Sequence, residues 1–466
     1  MLAIMGALLD ICTALRTAAD GSTILIPQPS DSPDDPLNWS AFKKNAVLGM
    51  VIACSFLPDY GSVTGAVASN LQAKEYGNTA DTVNHSQSGN QFMVGVGGTV
   101  AVMLSSYFGR LPVLLWFMVG AIATAVAGAC SHGFMGYFVP RVMNGFFAGA
   151  AQGDLFFHHE QARKINLWQS CVILSPFMGP LLASFMTIRL SWRWPFHVYS
   201  ILTGVALMSV MVFGQETYYN RQRVQPQLVI PRSRWLELVG IDQWRTRRLG
   251  NTLPQAIFRS VQILKKPVVV LVRIYYICVF AWLVAINATL PIFLNELYGF
   301  ESKQIAYLCG HWLHDFLAHV HTKRHSGQFT PESRLIIVWL AIPFMISGLT
   351  IVGFALGRHY QYMLVALGWG FYTFGVILNS ASVNMYLLAA YPEARPEVGM
   401  WINFSRTAGG FIISYFQVEW VARAGAAVSF GTQAAICLAV FSIIVVLQVF
   451  GQRLRAWGGD LDFSSG

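Results

Sequence analysis

The chain has 466 residues, of which 55% are hydrophobic and 11% are charged, and its mean hydropathy is +0.49. Soluble domains carry about 25% charged residues, so this composition excludes a water-soluble globular protein. Aromatic residues make up 14% of the chain, which excludes a disordered one. What remains is a polytopic membrane protein. Its net charge of +9 fits basic cytoplasmic loops and requires no nucleic acid as a partner.

Eleven apolar segments are long enough to cross a bilayer, since a spanning helix needs about 20 mostly apolar residues. Six precede a polar middle segment and five follow it: 45–67, 90–109, 112–131, 134–153, 168–188, 195–214, 268–290, 335–357, 361–385, 400–422 and 427–450. A further segment at 303–318 has too few apolar residues to cross comfortably. We interpret it as a partial or re-entrant helix, or as a place where residues have been lost.

The basic residues orient these spans. With both termini and the middle segment in the cytoplasm, 22 of the 31 Lys and Arg lie on that side, 6 lie outside and 3 lie within spans. This orientation requires segment 303–318 to cross. The domains predicted are a cytosolic tail (1–44), a six-helix bundle (45–214), a basic central loop (215–267), a second helix bundle (268–450) and a cytosolic C-terminal tail (451–466).

Several short motifs lie at the ends or inside these spans. Span four contains R-x-x-N-G at 141–145, and the turn between spans two and three ends in Gly109-Arg110. Span five contains Gly179-Pro180, in which the proline removes a backbone donor and the glycine allows close helix packing. Span six is preceded by W-R-W at 192–194 and followed by Q-E-T at 215–217. We expect the tryptophans and Arg193 to anchor at the lipid headgroups.

These motifs resemble those of the major facilitator superfamily, in its fungal multidrug and organic-cation (drug:proton antiporter-like) branch. The resemblance implies an all-α fold of two six-helix bundles, nominally 12 spans, here 11 clear ones plus a short eighth. It also implies that Arg141 assists proton movement and that Gly109, Arg110, Gly179 and Pro180 belong to conformational motifs. Members of this kind usually have more residues between 153 and 156 and between 305 and 310.

Charged residues inside spans are candidates for coupling and binding. Asp59 lies about 14 residues into span one, or roughly 21 Å at 1.5 Å per residue, which is too deep for easy contact with water. It can alternately hold a proton and a substrate cation, or it can bond Ser62 or Thr64 one turn on. Glu419 in span eleven could play the same part, and Arg406 could pair with a carboxylate or with substrate. Arg273 also lies within a span.

Other features narrow the function. Asn84 begins the glycosylation motif N-H-S in a predicted external loop. The sequence has no Walker A motif and no metal-ligand spacing, so we expect neither an enzyme nor a cofactor. We therefore predict a secondary transporter in the plasma membrane. Its expected partners are a small-molecule substrate, protons and the lipid bilayer, and it is expected to work as a monomer. Vacuolar membrane is the other location considered.

The predicted activity is proton-coupled export of a small hydrophobic compound, a drug or secondary metabolite. Two alternatives stay open. One is an importer of organic cations or nutrients in the same fold, since a sequence does not state direction. The other is a truncated membrane protein that transports nothing. Whether the transcript contains extra coding sequence at the two short places would distinguish this alternative from a complete carrier.

Overall fold

The computed structural model describes residues 39–150, 161–216, 234–241, 253–298, 335–391 and 394–459. Within these ranges the chain consists of helices joined by turns and short connections. The helices are α1 (Ala41–Thr64), α2 (Ser69–Tyr76), α3 (Ala80–Phe108), α4 (Arg110–Ala129), α5 (Phe134–Ala148), α6 (Gln161–Thr187), α7 (Trp194–Phe213), α8 (Arg234–Val239), α9 (Leu253–Leu264), α10 (Pro267–Tyr298), α11 (Ile336–Gly357), α12 (Tyr362–Ala390), α13 (Arg395–Ser414), α14 (Gln417–Ala424) and α15 (Ala426–Gly458).

Eight helices in the described part of the chain are long and apolar enough to cross a membrane: α1, α3, α4, α7, α10, α11, α12 and α15. They confirm eight of the predicted spans. The predicted fourth, fifth and eleventh spans also form helices, α5, α6 and α13. Segment 303–318 and the short junction at 153–155 lie outside the described residues.

Several helix boundaries differ from the prediction, and two of them bear on the site. The second span begins at Ala80 rather than near 90, because the polar residues of its first turns pack against protein rather than water. The eleventh span ends at Ser414, and the separate short helix α14 follows it. The segment predicted as a loop contains α8 and α9.

The buried apolar side chains form two large clusters. One extends from Trp39 to Leu238, and the other from Ile263 to Leu447. Helices of the first half therefore bury their apolar faces mainly against one another, and those of the second half do the same.

Glycines allow α3 and α5 to approach closely. A Cβ on Gly97 would lie 1.8 Å from the carbonyl oxygen of Phe146, and one on Gly145 would lie 2.0 Å from that of Asn90. Only a residue without a side chain fits at these two places. The glycine of the R-x-x-N-G motif in span four therefore permits close packing against span two.

Helices α3 and α13 join the two halves of the chain. Their contact runs along both helices, from the stacked rings of His85 and Tyr415, 4.3 Å between centroids, past Phe92 and Phe411 at 4.7 Å. At Gly95 a Cβ would lie 2.0 Å from the Thr407 hydroxyl oxygen. The absence of a side chain at position 95 is what brings α13 against α3 at this level.

Candidate functional site

An ion pair between Asp59 on α1 and Arg406 on α13 forms the centre of the candidate site. Arg406 Nη1 donates to Asp59 Oδ2 at 2.9 Å, and Nη2 donates to Oδ1 at 3.1 Å. The carboxylate is 1% exposed and the arginine side chain 17% exposed. This two-bonded geometry is the strong form of an arginine–carboxylate contact. The sequence predicted both residues and left the partner of Arg406 open.

Two amides complete the surroundings of the pair. Gln91 Nε2 on α3 lies 3.5 Å from Asp59 Oδ1, at the long end of a hydrogen bond, and Arg406 Nη2 also donates to Asn403 Oδ1 at 3.0 Å. The hydroxyls expected to bond Asp59 lie elsewhere. Ser62 donates to the Pro58 carbonyl and to Asn90, and Thr64 donates to the Tyr60 carbonyl.

Arg141 on α5 is buried but makes no contact with Asp59. Its guanidinium donates to the carbonyls of Gly61 and Ser62, the latter at 2.9 Å, and to Oε1 of Gln87. Those two carbonyls belong to the last turn of α1, where a helix has no partners of its own for them. Arg141 therefore supplies hydrogen bonds to carbonyl groups at the end of α1, less than one turn beyond Asp59. Gln87, which no sequence motif indicated, completes this contact.

Gly179 and Pro180 on α6 lie against α1 at the level of the ion pair. A Cβ on Gly179 would be 2.6 Å from the carbonyl oxygen of Tyr60, the residue after Asp59. Pro176 and Pro180 both lie inside α6. The predicted motif thus sets how closely α6 approaches the segment of α1 that carries the carboxylate.

Arg273 on α10 reaches the same stretch of α13. Its Nε donates to Ser405 Oγ at 3.1 Å, and its guanidinium lies 4.6 Å from the centre of the Trp401 ring. Ser405 and Arg406 are neighbours in α13. The guanidinium group of Arg273, from α10, therefore lies at nearly the same level of α13 as that of Arg406. The sequence indicated only that Arg273 lies in a span.

Glu419 is not part of this site, and its predicted place in span eleven is wrong. It lies on α14, where its side chain is 64% exposed and pairs with Arg423 one turn later. Helix α13 ends at Ser414, and α14 begins at Gln417 after a short turn. An exposed pair of this kind contributes little to stability.

Glu216, to which the sequence motifs gave no role, bonds the turn between α3 and α4. Gly109 has φ of +96°, a backbone conformation that favours glycine. The carboxylate of Glu216 accepts from the backbone N–H of Arg110 at 3.3 Å and of Leu111 at 3.2 Å. A carboxylate at a helix N-terminus satisfies free N–H groups and complements the helix dipole. Glu216 could have been found only as an acid at the end of span six.

The expected exposure of Asn84 is wrong. Asn84 lies in the second turn of α3, and its side chain is fully buried. A glycosyltransferase needs an exposed asparagine, so Asn84 in this fold does not meet the premise of the glycosylation prediction. The polar residues around Asn84 look like an exposed loop in the sequence. In the structure they form a helix, and several of their side chains are buried against other helices.

Trp192, Arg193 and Trp194 were expected at the lipid headgroups; Trp194 is exposed, whereas Trp192 and Arg193 bond protein groups instead. Trp192 is 5% exposed and donates its Nε1–H to Glu75 on α2. Arg193 pairs with the same carboxylate at 2.8 Å and donates to the carbonyl of Ser131 at 3.1 Å. The hydrogen bond from Trp192, followed by that from Arg193, lowers the pKa of Glu75. These residues therefore tie together three connections at one end of the first half.

The sequence profile of the Major Facilitator Superfamily matches residues 37–414. The chain is 25% identical to MFS transporter fsa7 of a Fusarium species, over 91% of this chain and 88% of that protein. It is 24% identical to multidrug transporter FLR2 of Candida glabrata (78% and 65%), and 23% identical to efflux pump radE of Floropilus chiversii (91% and 84%).

Solved structures show the same fold. The proton:xylose symporter XylE superposes with a TM-score of 0.60 at 13% identity, over 88% of this chain and 96% of that one. A POT family transporter in complex with a thioalcohol-conjugated peptide gives 0.60 at 13% identity, over the same shares. At such identities the likeness concerns the fold alone.

Proposed function

The chain belongs to the major facilitator superfamily, in a fungal drug-efflux-type branch, and from that premise we propose that it exports a small hydrophobic compound in exchange for protons. The family consists of transporters rather than enzymes, and the chain is a multi-pass membrane protein with a small-molecule substrate. Export is supported by the names of two relatives, a multidrug transporter and an efflux pump. Direction, proton coupling and substrate chemistry belong to the proposal.

The observation that carries the proposal is the Asp59–Arg406 ion pair. It joins a helix of the first half to a helix of the second half, and it exists only while Asp59 is ionised. Protonation removes the charge on Asp59 and leaves the arginine without its anion. Breaking a buried pair in this way costs about 3–5 kcal/mol. A proton at Asp59 therefore weakens a contact between the halves.

This contact suits a carrier that works by rocking of two bundles, for which we propose residues 45–214 and 268–450. The pair lies beside the contact of α3 with α13, where the halves would move relative to each other. A substrate that hydrogen-bonds to ionised Asp59 competes with a proton for the same oxygens. Competition for one carboxylate gives exchange of substrate for proton. Arg141 supports this arrangement by holding the end of α1 that carries Asp59.

Import of substrate together with a proton is the second candidate, and one observation favours it. The partner of Asp59 is a cation of the protein, so protonation of Asp59 releases Arg406. A released guanidinium attracts an anionic substrate. Proton and anion would then bind together and move in the same direction. Accumulation of labelled substrate in intact cells, compared with a deletion strain, separates import from export.

The substrate is best identified by comparing metabolites of producing cells with those of cells that lack the chain. The identified compound is then used in proteoliposomes with an imposed pH gradient. We expect Asp59→Asn to abolish pH-driven transport, because Asn carries no titrating group. Glu419→Gln, which changes an exposed acid outside the site, is the matched control. Unchanged pH-driven transport in Asp59→Asn would show that Asp59 does not couple protons.

We also propose that the transporter acts as a monomer in the plasma membrane. Fluorescent tagging separates the plasma membrane from the vacuole, and the mass of the detergent-solubilised protein gives its oligomeric state. A chain that is correctly located but moves no compound in either direction would support the third reading, a membrane protein that does not transport.

A further inference from the structure

Arg273 is a cation inside an apolar helix, the seventh residue of α10 and about 9 Å from the start of that helix. Its contact residue Ser405 is the eleventh of the twenty residues of α13, about 15 Å from the start of that helix. A charge at such depth in a membrane-spanning protein is costly unless it faces a partner or a watery cavity. The surroundings of Arg273 therefore have to explain why a cation is present there.

The three arginines within spans differ in how their charge is balanced. Arg406 has the carboxylate of Asp59, and Arg141 has two carbonyls and an amide oxygen. Arg273 has one hydroxyl, at Nε, and the face of Trp401. Among the residues that the structure describes, no carboxylate lies within ion-pair distance of Arg273. Its side chain is partly exposed rather than sealed into the core.

This environment orients the guanidinium and leaves its outer edge for a ligand. Ser405 fixes Nε, and the Trp401 ring supports one face, as aromatic rings commonly do for arginine. The two terminal nitrogens are the part of a guanidinium that bonds a carboxylate through two parallel hydrogen bonds. No hydrogen bond from these nitrogens is formed within the described part of the chain.

The charges of the neighbourhood favour an anion over a cation. Arg273 contacts Ser405 of α13, the residue before Arg406, and Asp59 forms an ion pair with Arg406 alone of these two arginines. An organic cation would meet a net positive charge in a medium of low dielectric constant, whereas an acid would balance it.

We propose that Arg273 binds an acidic group of the transported compound, so that the substrate is a hydrophobic organic anion. This inference rests on the proposed function in one respect, that the chain carries a small organic compound. It requires neither a direction of transport nor proton coupling. The alternative role for Arg273 is to hold α10 against α13 without touching substrate.

Two dyes with the same xanthene core test the proposal. Fluorescein is an anion near neutral pH, and rhodamine 6G is a cation. We would measure the equilibrium binding of each by fluorescence anisotropy to the purified full-length protein in lipid nanodiscs. The wild-type protein is expected to bind fluorescein more tightly than rhodamine 6G. Arg273→Gln is expected to weaken fluorescein binding by about tenfold or more, as loss of a charged hydrogen bond does.

A purely structural role for Arg273 predicts a different pattern. Loss of helix packing would weaken both dyes alike, whereas loss of an anion site weakens fluorescein and leaves rhodamine 6G equal or tighter. Arg273→Lys keeps the charge but not the two parallel bonds, and it should retain a weaker preference for fluorescein. It also serves if the glutamine variant does not fold. Ser405→Ala, which removes the positioning hydrogen bond and keeps the cation, should lie between wild type and Arg273→Gln.

The proposal is overturned if the wild-type protein prefers rhodamine 6G, if it binds neither dye, or if both dyes lose affinity equally in Arg273→Gln. Because binding is measured without a gradient, this outcome is distinct from failure of the proposed function. Fluorescein binding through Arg273 without pH-driven flux contradicts proton-coupled export alone. Proton-driven flux of a cationic compound contradicts the anion site alone.

Discussion

Asp59 and Arg406, which are far apart in sequence, form a buried ion pair with nitrogen–oxygen distances of 2.9 and 3.1 Å that links α1 to α13. The pair is a charged contact between the two halves of the chain. Its neighbours, Gln91 and Asn403, are polar but uncharged. The strength of this link depends directly on the ionisation of one carboxyl group.

The first prediction concerns the stability that this pair supplies. Asp59→Asn should lower the free energy of unfolding by about 3 kcal/mol, because it leaves a largely buried guanidinium without its anion. Removing both charges in Asp59→Asn/Arg406→Gln should cost less than the sum of the two single changes. Thermal melting of the purified protein in detergent measures all three. Strict additivity would mean that the pair contributes no coupling energy.

Glu216 provides a second prediction, because it accepts from two backbone N–H groups at the start of α4. Glu216→Ala should destabilise the protein by about 1 kcal/mol, the usual value for loss of a helix cap. Glu216→Gln keeps an acceptor oxygen but loses the favourable interaction of a negative charge with the helix dipole, so its effect should be smaller. Equal melting temperatures for wild type and the alanine variant would contradict this role.

The glycine contacts between α3 and α5 give a third prediction. Gly97→Ala places a methyl group 1.8 Å from a backbone oxygen, so the helices must move apart. We expect a loss of about 1–3 kcal/mol from overpacking, together with lower expression of folded protein. Gly431→Ala is the matched control, since a Cβ there meets nothing within 4 Å. That variant should be neutral or more stable by about 0.5–1 kcal/mol, because alanine favours a helix more than glycine does. Similar losses in both variants would exclude a specific packing role for Gly97.

The contact of Glu75 with Trp192 and Arg193 gives a pH-dependent prediction. The Trp192 hydrogen bond, then the Arg193 hydrogen bond, lowers the pKa of Glu75 below its value of 4.5 in an unfolded chain. A carboxyl group whose pKa is lower in the folded state stabilises the protein above its unfolded pKa and loses that contribution as pH falls through the folded pKa. Wild type should therefore melt above Glu75→Gln at neutral pH, and the difference should shrink once the pH is below about 4.5. A difference that is constant across this range would show that the ionisation of Glu75 is not responsible.

The spans illustrate what could be predicted from sequence. The apolar helix α11 was located within one residue of its observed bounds, and α15 within one residue of its start, because a long run of apolar residues has few stable forms other than a helix in a membrane. Asn84 was misplaced for the converse reason. Polar residues at the start of α3 look like a loop when only their own hydropathy is considered, yet they face protein.

The sequence predicted which ionisable residues belong to the candidate site, but it did not predict which of them contact one another. Asp59, Arg141 and Arg406 stand out because each is an ionisable residue in an apolar span, whereas Gln87 and Glu216 are ordinary polar residues in sequence. No motif indicated that Arg406 rather than Arg141 would meet Asp59. That choice depends on α13 packing against α3 beside α1, a contact between residues hundreds of positions apart.

The sequence by itself determined that this is a helical membrane transporter, since hydropathy, the distribution of basic residues and local motifs act within single spans. The tertiary structure decided which charges neutralise each other: Asp59 with Arg406, Arg141 with the end of α1, and Arg273 with no carboxylate among the described residues. The physical reason is that a charge in a span must find its partner across helices, and the partner is selected by the packing of those helices rather than by their order in the chain.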